Sequence, residues 1–224
     1  MENKVYILDT DILNDDEIYN KLYSALSSYR QEKIEHFRFR KDKNLSLGAG
    51  VLIDVMLREF NLFEKNMTYS LGENEKPTFS EYKDIHFNVS HSNNKVICAV
   101  SSEEVGCDIE KISPIDINIA KKFFLNSEYE YIKNSKNQED AFYLLWTLKE
   151  SFMKITGLGM SLPLNSFEIS ITDDDITVSQ NLNNSNYYFH EYECVDGYKI
   201  SVCSHLNTFH NELINVNEKL SNYY

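Results

Sequence analysis

The stretch Val105-Gly106-Cys107-Asp108-Ile109-Glu110-Lys111 decides how the rest of this chain is interpreted. Apolar and polar residues alternate along it, which is typical of a half-buried β-strand. Side chains of a strand point alternately to its two faces, so Asp108 and Glu110 share one face and Ile109 lies on the other. Two carboxylates held this close repel each other unless a proton or a cation lies between them. The pair offers only oxygen ligands, so the expected cation is Mg²⁺, and the alternative is two solvated acids on a strand.

Length and composition are those of an ordinary globular protein. The chain has 224 residues, 42% of them hydrophobic and 25% charged, which is enough for one large domain or two small ones. No apolar run approaches the ~20 residues of a membrane span, and residues 1–10 lack the basic start and apolar core of a signal peptide. The four cysteines form no Cys-x-x-Cys pair. We therefore expect a cytoplasmic protein with no membrane partner.

The net charge of −13 argues against a nucleic-acid partner, because a phosphate backbone would be repelled. Basic residues nevertheless concentrate in segment 30–43, where they are interspersed with acids. On so acidic a chain this segment is a candidate anion site, and the alternative is a solvated helix face of mixed charge. Its basic residues are Arg30, Lys33, Arg38, Arg40, Lys41 and Lys43.

Hydrophobic periodicity predicts the same order of elements twice, helices followed by strands. After a short strand at 5–8, we expect helices at 15–26, 30–37 and 42–60 and strands at 85–89, 95–101 and 105–110. We then expect helices at 116–124, 127–134 and 138–156 and strands at 167–172, 187–194 and 198–204. Turns are expected at 173–175 and at Asp196-Gly197, and Gly157 should close the long helix. The order predicts an α+β fold of two similar halves, residues 1–112 and 113–224.

The long predicted helix carries a second group of polar residues. An apolar stripe occupies one face, whereas Tyr143, Thr147, Glu150 and Lys154 fall on the opposite one. Glu150 and Lys154 have the spacing of an ordinary surface ion pair, which is the alternative interpretation. The run Gly157-Leu158-Gly159 follows at once and lets a ligand or backbone approach closely.

A third motif, Phe87-Asn88-Val89-Ser90-His91-Ser92, lies where a predicted strand ends. A Ser-His pair in this position suits hydrolysis, phosphate binding or a simple turn. The sequence offers no evident acid to complete a catalytic triad, so these alternatives stay open at this point.

Together these stretches resemble the Sfp-type 4′-phosphopantetheinyl transferases. The resemblance rests on FNVSHS…VICAVSSEEVGCDIEKI and on WTLKESFMKITGLGM, and it covers nearly the whole chain. It implies an enzyme that moves the phosphopantetheine arm of coenzyme A onto a serine of an acyl, peptidyl or polyketide carrier protein and releases 3′,5′-ADP. It also implies a monomer built as a pseudo-dimer of two similar α+β halves, with the active site at their interface.

The resemblance assigns roles to individual residues. Asp108, Glu110 and Glu150 would hold Mg²⁺, and Glu150 would also activate the acceptor serine. Lys154 would face the pyrophosphate. The remaining coenzyme A contacts would be Ser90 and His91 at the phosphates, Lys76 at the nucleotide end, and Arg30, Lys33 and Ser46 at the 3′-phosphate.

The sequence departs from the family pattern at Glu75-Lys76-Pro77, where a glycine usually precedes the lysine. A glutamate beside a phosphate site should weaken coenzyme A binding unless its side chain points away. Two other functions remain as alternatives: a Mg²⁺-dependent pyrophosphatase or nucleotide hydrolase that uses the same acids, and a non-catalytic module that binds coenzyme A or a carrier. The intact set of acids and Lys154 argues against the module.

The carrier proteins of such enzymes are usually acidic, so a chain of this charge cannot attract them by broad electrostatics. We therefore expect an apolar docking patch. The best candidate is 157–164, which combines three leucines and Met160 with two glycines close to Glu150. The alternative is that its apolar residues pack under the second sheet.

Overall fold

The computed structural model describes residues 2–72, 76–172 and 175–220, which form a mixed α+β structure as the sequence predicted. Its helices are α1 Asp16–Ala25, α2 Ser28–Glu35, α3 Arg40–Arg58, α4 Asn118–Phe123, α5 Asn126–Asn134 and α6 Gln138–Thr156. Its strands are β1 Lys4–Asp9, β2 Tyr69–Leu71, β3 Pro77–Phe79, β4 His86–Ser92, β5 Lys95–Ser101, β6 Val105–Lys111, β7 Glu168–Ile171, β8 Ile176–Ser179, β9 Tyr188–Glu191, β10 Tyr198–Ser204 and β11 Ile214–Asn215.

The larger sheet has the strand order β11-β1-β5-β4 and is antiparallel except for the parallel pair of β1 and β11. Helix α3 packs against it, and every residue from 44 to 57 is buried. A helix buried on all sides lies in the interior of a fold, so α3 is the central element of this half.

The second sheet has the strand order β6-β10-β9, and α6 lies across it. Gly106 permits this packing, because a Cβ at that position would lie 2.1 Å from the backbone oxygen of Ser151 and 2.6 Å from the backbone nitrogen of Ile155. Any other residue would push α6 away from β6. The glycine two residues before Asp108 therefore sets the distance between the carboxylate strand and the helix that carries Glu150 and Lys154.

The polar face of α6 is turned toward this sheet and not toward bulk water. Thr147 shares a hydrogen bond of 2.7 Å with Ser201 on β10, and both residues are fully buried. At the first turn of α6, Asp140 forms an ion pair of 3.0 Å with Lys199 on the same strand. These polar contacts fix the rotation of α6 and so decide which of its side chains face β6.

Strand pairing crosses the predicted boundary at residue 112 twice. Strand β6 precedes the boundary but pairs with β10, and β11 near the end of the described chain pairs with β1. Each side of the boundary has its own helices and sheet, whereas the similarity of the two halves stays a prediction.

Most predicted elements are confirmed, and three have the predicted bounds: β5, α6 and β10. Gly157 and Gly197 have the left-handed φ of +70° and +74° that the predicted helix end and hairpin turn require. Strands β2, β3, β8 and β11, each of two to four residues, were not predicted. The predicted turn at 173–175 lies largely outside the described residues. No helix of the described chain is long and apolar enough to cross a membrane.

Candidate active site

The carboxylate of Asp108 is the buried centre of the site. Its Oδ1 accepts hydrogen bonds from Ser90 Oγ at 2.7 Å and from Lys154 Nζ at 2.6 Å. Its Oδ2 is buried and has no hydrogen-bond partner among the residues that the structure describes. A buried carboxylate oxygen without a partner is costly, so this atom is suited to a ligand that the protein itself does not supply.

The ammonium of Lys154, on α6, forms hydrogen bonds to residues of both β4 and β6. This ammonium also donates to Ser90 Oγ at 2.9 Å and to the backbone oxygen of Cys107 at 3.1 Å. Burial is the largest influence on this ammonium and opposes its charge, but the Asp108 carboxylate, together with smaller effects that include Glu150, outweighs burial and raises the pKa of Lys154. Lys154 is therefore a cation held at the middle of β6, and the surface ion pair with Glu150 considered from the sequence is not its main contact.

Glu110 and Glu150 are coupled to Asp108 by charge. Burial raises the pKa of Glu110, a hydrogen bond of 2.7 Å from Ser92 opposes that rise, and Asp108 adds to it. Burial also raises the pKa of Glu150, with further increases from Asp108 and Glu110 and an opposing effect from Lys154. Asp108 thus raises the pKa of both glutamates, and Glu110 adds to the rise at Glu150, so the three predicted metal ligands lie within electrostatic reach.

The three carboxylates have the ligand chemistry that a hard cation prefers, but their positions in the structure do not form a complete metal site. Within the described ranges, no group of three or more His, Cys, Asp or Glu side chains is arranged to hold a metal ion as it stands. The donor set is nonetheless suitable, because it consists of carboxylate oxygens and includes the partnerless Oδ2 of Asp108. In this structure the ammonium of Lys154 neutralises the charge of the Asp108 carboxylate. A bound cation would therefore share that carboxylate with Lys154.

The predicted 3′-phosphate residues meet at a cavity of about 260 Å³ between α2, α3 and β4, whose lining includes Arg30, Lys33, Ser46 and His91. Arg30 is buried, and its Nη2 donates a hydrogen bond of 2.7 Å to the backbone oxygen of Ser46. Within the described part of the chain, Arg30 Nε and Ser46 Oγ are buried and have no hydrogen-bond partner. Gly50 leaves room for the guanidinium, since a Cβ there would lie 3.2 Å from Arg30 Nε. A cation and a hydroxyl with unused capacity at one cavity suit an anionic group.

A smaller cavity of about 180 Å³ extends this cleft toward the carboxylates. Pro77 and Asn88 line both cavities, and the smaller one is also lined by Lys76 and Lys154. The two cavities together therefore extend from Arg30 at one end to Lys154 at the other.

Lys76 does not point freely into this cleft. Its ammonium donates a hydrogen bond of 2.6 Å to Glu104, and His86 Nδ1 lies 3.1 Å from the same carboxylate. Hydrogen bonding to His86 and Lys76 outweighs burial and lowers the pKa of Glu104 to about 2. Lys76 is therefore partly neutralised, which the sequence did not predict. Glu75, the departure from the family pattern, lies outside the described residues.

Lys149 is a buried residue that the sequence analysis missed. Lys149 and Glu128 form an ion pair of 2.7 Å with both side chains at most 1% exposed. The ammonium also donates to the backbone oxygens of Leu164 and Phe167 at 2.8 and 2.9 Å. Lys149 stands four residues after Leu145 in the apolar stripe, a position that could have revealed its burial. The pair attaches the segment after α6 to the catalytic helix.

Residues 157–164, the predicted docking patch, include both exposed and buried apolar side chains. Met160 is 96% exposed, whereas Leu162 is buried and Leu158 and Leu164 are half-buried against the core around α6. The packing alternative thus holds for the leucines and not for the methionine. Met160 stands at the exit of α6, six residues after Lys154.

Sequence comparisons agree with this geometry. The sequence model of the 4′-phosphopantetheinyl transferase superfamily matches residues 104–203. The chain is 37% identical over 205 residues to the 4′-phosphopantetheinyl transferase Sfp of Bacillus subtilis, covering 90% of this chain and 92% of that protein. It is 37% identical over 193 residues to the 4′-phosphopantetheinyl transferase gsp of Aneurinibacillus migulanus, covering 85% and 81% of the two chains.

The chain belongs to the 4′-phosphopantetheinyl transferase superfamily. It is an Sfp-type 4′-phosphopantetheinyl transferase, as the resemblance implied. A human relative, L-aminoadipate-semialdehyde dehydrogenase-phosphopantetheinyl transferase, is 29% identical over 173 residues, which is 70% of this chain and 56% of that protein. Among solved structures, the holo-[acyl-carrier-protein] synthase of Thermotoga maritima has a TM-score of 0.40 and 15% identity, covering 45% of this chain and 61% of that one.

Proposed function

We propose that this transferase moves the 4′-phosphopantetheine group of coenzyme A onto a serine of an apo carrier protein, with Mg²⁺, and releases 3′,5′-ADP. The observation that carries the proposal is the cleft itself. It begins at the polar atoms of Arg30 and Ser46 that have no partner among the described residues, and it ends at Lys154, whose ammonium is hydrogen-bonded to Asp108. The two ends would take the 3′-phosphate and the pyrophosphate of coenzyme A.

We propose that Asp108, Glu110 and Glu150 hold the Mg²⁺. When bound, the ion would neutralise charge on the pyrophosphate and on the leaving 3′,5′-ADP. Because Asp108 and Glu110 come from β6 and Glu150 comes from α6, the site would lie between residues 1–112 and 113–224. This arrangement supports the proposal of two similar halves with a shared active site.

The chain's own side chains would perform the rest of the reaction. Glu150 is half-buried and its pKa is raised, so its carboxylate is a better proton acceptor for the serine hydroxyl than an exposed glutamate would be. Lys154 would shift its hydrogen bonds from Asp108 to the phosphate oxygens as their charge grows. Ser90 and His91, near the C-terminal end of β4, would contact the coenzyme A phosphates. Lys76 would contact the nucleotide end of coenzyme A. No covalent intermediate is required, so we propose direct in-line transfer.

The proposal is tested by mixing the protein with Mg²⁺, coenzyme A and purified apo carriers and weighing the carriers by mass spectrometry. We expect a carrier that gains one phosphopantetheine group, together with an equal amount of 3′,5′-ADP. A hydrolase would instead release phosphate products from coenzyme A when no carrier is present. That result would replace the transferase proposal with the hydrolase alternative.

The double variant Arg30→Ala/Lys33→Ala tests the nucleotide end of the cleft. We expect it to raise KM for coenzyme A while KM for dephospho-coenzyme A stays nearly unchanged, because only coenzyme A carries the 3′-phosphate. Steady-state kinetics with both substrates makes the comparison, and Lys65→Ala on an exposed segment is the control. Equal losses with both substrates would show that the two side chains act by supporting the fold.

Met160→Asp tests whether the predicted docking patch, residues 157–164, binds the carrier protein. We expect it to raise KM for the carrier while KM for coenzyme A and Tm stay near wild type, because Met160 is 96% exposed and exposed substitutions rarely change stability. Leu158→Asp is a poorer test, since Leu158 packs against the core. Leu182→Asp changes another exposed residue and serves as the control.

The salt dependence of the same reaction separates apolar from electrostatic docking. For two acidic partners that meet through an apolar patch, KM for the carrier should stay flat or fall as salt rises from low to moderate levels, because screening relieves repulsion. A steep loss of carrier affinity with salt would show that a basic surface makes the contact.

A further inference from the structure

Strand β4 carries two polar residues for which the proposed reaction has no role. Asn88 and Ser92 stand two residues on either side of Ser90, so the three side chains share one face of the strand. That face is turned toward β6. In the described chain β4 pairs by backbone hydrogen bonds with β5, and β6 pairs with β10, so no backbone ladder joins β4 to β6.

Side chains make this junction instead. The backbone N–H of Cys107 donates to Asn88 Oδ1 at 2.9 Å, and Ser90 donates to Asp108 at 2.7 Å. Ser92 donates to Glu110 Oε2, also at 2.7 Å. The two serines thus contact the two carboxylates with the same offset of 18 residues. Each carboxylate of β6 has its own hydroxyl from β4.

Ser92 is oriented for this contact. The backbone N–H of Lys111 donates to Ser92 Oγ at 3.1 Å. A hydroxyl has one hydrogen to donate, and here the oxygen accepts from the backbone while the hydrogen goes to Glu110. The acceptor contact therefore fixes the direction of the donor contact. One side chain holds both the carboxylate of Glu110 and the backbone of the residue that follows it.

We propose that Ser92 is a positioning residue that fixes the Glu110 carboxylate for the divalent cation. Hydrogen-bond partners of this kind orient a metal ligand and prevent it from rotating away from the ion. Without the hydroxyl, Glu110 would have to be ordered by the ion itself, and the entropy lost in ordering it would weaken metal binding. The inference rests on the proposed function, because it takes Glu110 to be a metal ligand.

Ser92 is also the better of the two serines for an experiment. Ser90 contacts Lys154 as well as Asp108, so its replacement would disturb the phosphate-facing cation together with the carboxylate. The hydrogen bonds of Ser92 go to Glu110 and Lys111, at the far end of β6 from Gly106. A change at Ser92 therefore affects the Glu110 carboxylate and the backbone N–H of Lys111, and it removes no hydrogen bond of Lys154 or Asp108.

The test compares Ser92→Ala with Ser92→Thr, which keeps the hydroxyl and suits a strand. Mn²⁺ replaces Mg²⁺ as a spectroscopic probe, and its Kd is measured by electron paramagnetic resonance in the presence of coenzyme A and absence of carrier. We expect Ser92→Ala to raise the Kd about tenfold or more and Ser92→Thr to stay near wild type. Ser170→Ala, at an exposed position of strand β7, is the control.

Two further measurements separate positioning from support of the fold. The Mg²⁺ concentration for half-maximal transfer should rise in Ser92→Ala in proportion to the Kd, whereas kcat at saturating Mg²⁺ and Tm should stay near wild type. Unchanged Mn²⁺ affinity in Ser92→Ala, or equal losses in Ser92→Ala and Ser92→Thr, would overturn the inference.

The result of the Ser92 experiment can be separated from the result of the test for phosphopantetheine transfer. A wild-type protein that transfers phosphopantetheine while Ser92→Ala binds Mn²⁺ normally would contradict only the role of Ser92. A wild-type protein that transfers nothing, yet loses Mn²⁺ affinity on Ser92→Ala, would contradict the transferase reaction and support the positioning role.

Discussion

Glu150→Gln is expected to reduce kcat on the order of 10²-fold or more, and EDTA is expected to stop transfer by the wild-type protein. The amide removes both a charged metal ligand and the acceptor for the serine proton. Stopped assays of carrier modification at saturating coenzyme A and Mg²⁺ measure the effect. Glu103→Gln is the matched control, because Glu103 is an exposed glutamate in the turn before β6. Turnover close to wild type in Glu150→Gln would contradict the assigned role.

Asp108→Asn should lose activity to a similar extent but is less simple to interpret. From the sequence, removing charge from a repelling cluster should leave the fold intact. The structure adds that Asp108 is the partner of Lys154, so the asparagine would leave that ammonium half-buried without its counter-charge. We therefore expect a lower Tm in Asp108→Asn than in Glu150→Gln, and thermal melts of both variants check this difference.

Lys154→Met is the second change with a large expected effect, a loss of about 10² to 10³-fold in kcat. The methionine keeps the volume of the side chain but cannot offset charge on the phosphate oxygens. It also leaves Asp108 buried with Ser90 as its remaining hydrogen-bond donor. The free energy of unfolding should fall as a result, by less than for a fully buried pair, because the Lys154 side chain is 25% exposed.

Mg²⁺ distinguishes the two effects of Lys154→Met. If a cation binds at Asp108, adding Mg²⁺ should raise Tm more in this variant than in wild type, because the ion would replace the missing counter-charge. Kinetic assays and thermal melts with and without Mg²⁺ give both readouts. Lys133→Met is the control, since Lys133 forms an exposed ion pair with Glu130. A kcat within a few-fold of wild type would show that Lys154 is structural.

The local sequence was sufficient to predict the relative positions of residues that lie on the same strand or the same helix. Alternation along β6 put Asp108 and Glu110 on one face, and the helical period put Glu150 and Lys154 together on the polar face of α6. The end of α6 at Gly157 followed from the need for a left-handed residue. These features depend on backbone periods that neighbouring residues determine, so they can be predicted without knowing what packs against them.

Contacts between elements could not be predicted in this way. Nothing near Lys76 in the sequence indicates that Glu104, 28 residues later, neutralises it. The buried pair of Lys149 and Glu128 likewise depends on how α5 packs against α6. Within 157–164 the composition alone does not separate the exposed Met160 from the buried Leu162, because the short turns there have no regular period.

The sequence by itself determined the α+β class and the family and predicted candidate residues for the chemistry, because periodicity and motif spacing are properties of the chain alone. Only the tertiary structure decided that Ser90 and Ser92 each hold one carboxylate and that Gly106 lets α6 approach β6. It also decided that the polar face of α6 is turned inward. Each of these depends on the distance between two elements, and that distance is set by the packing of the whole core.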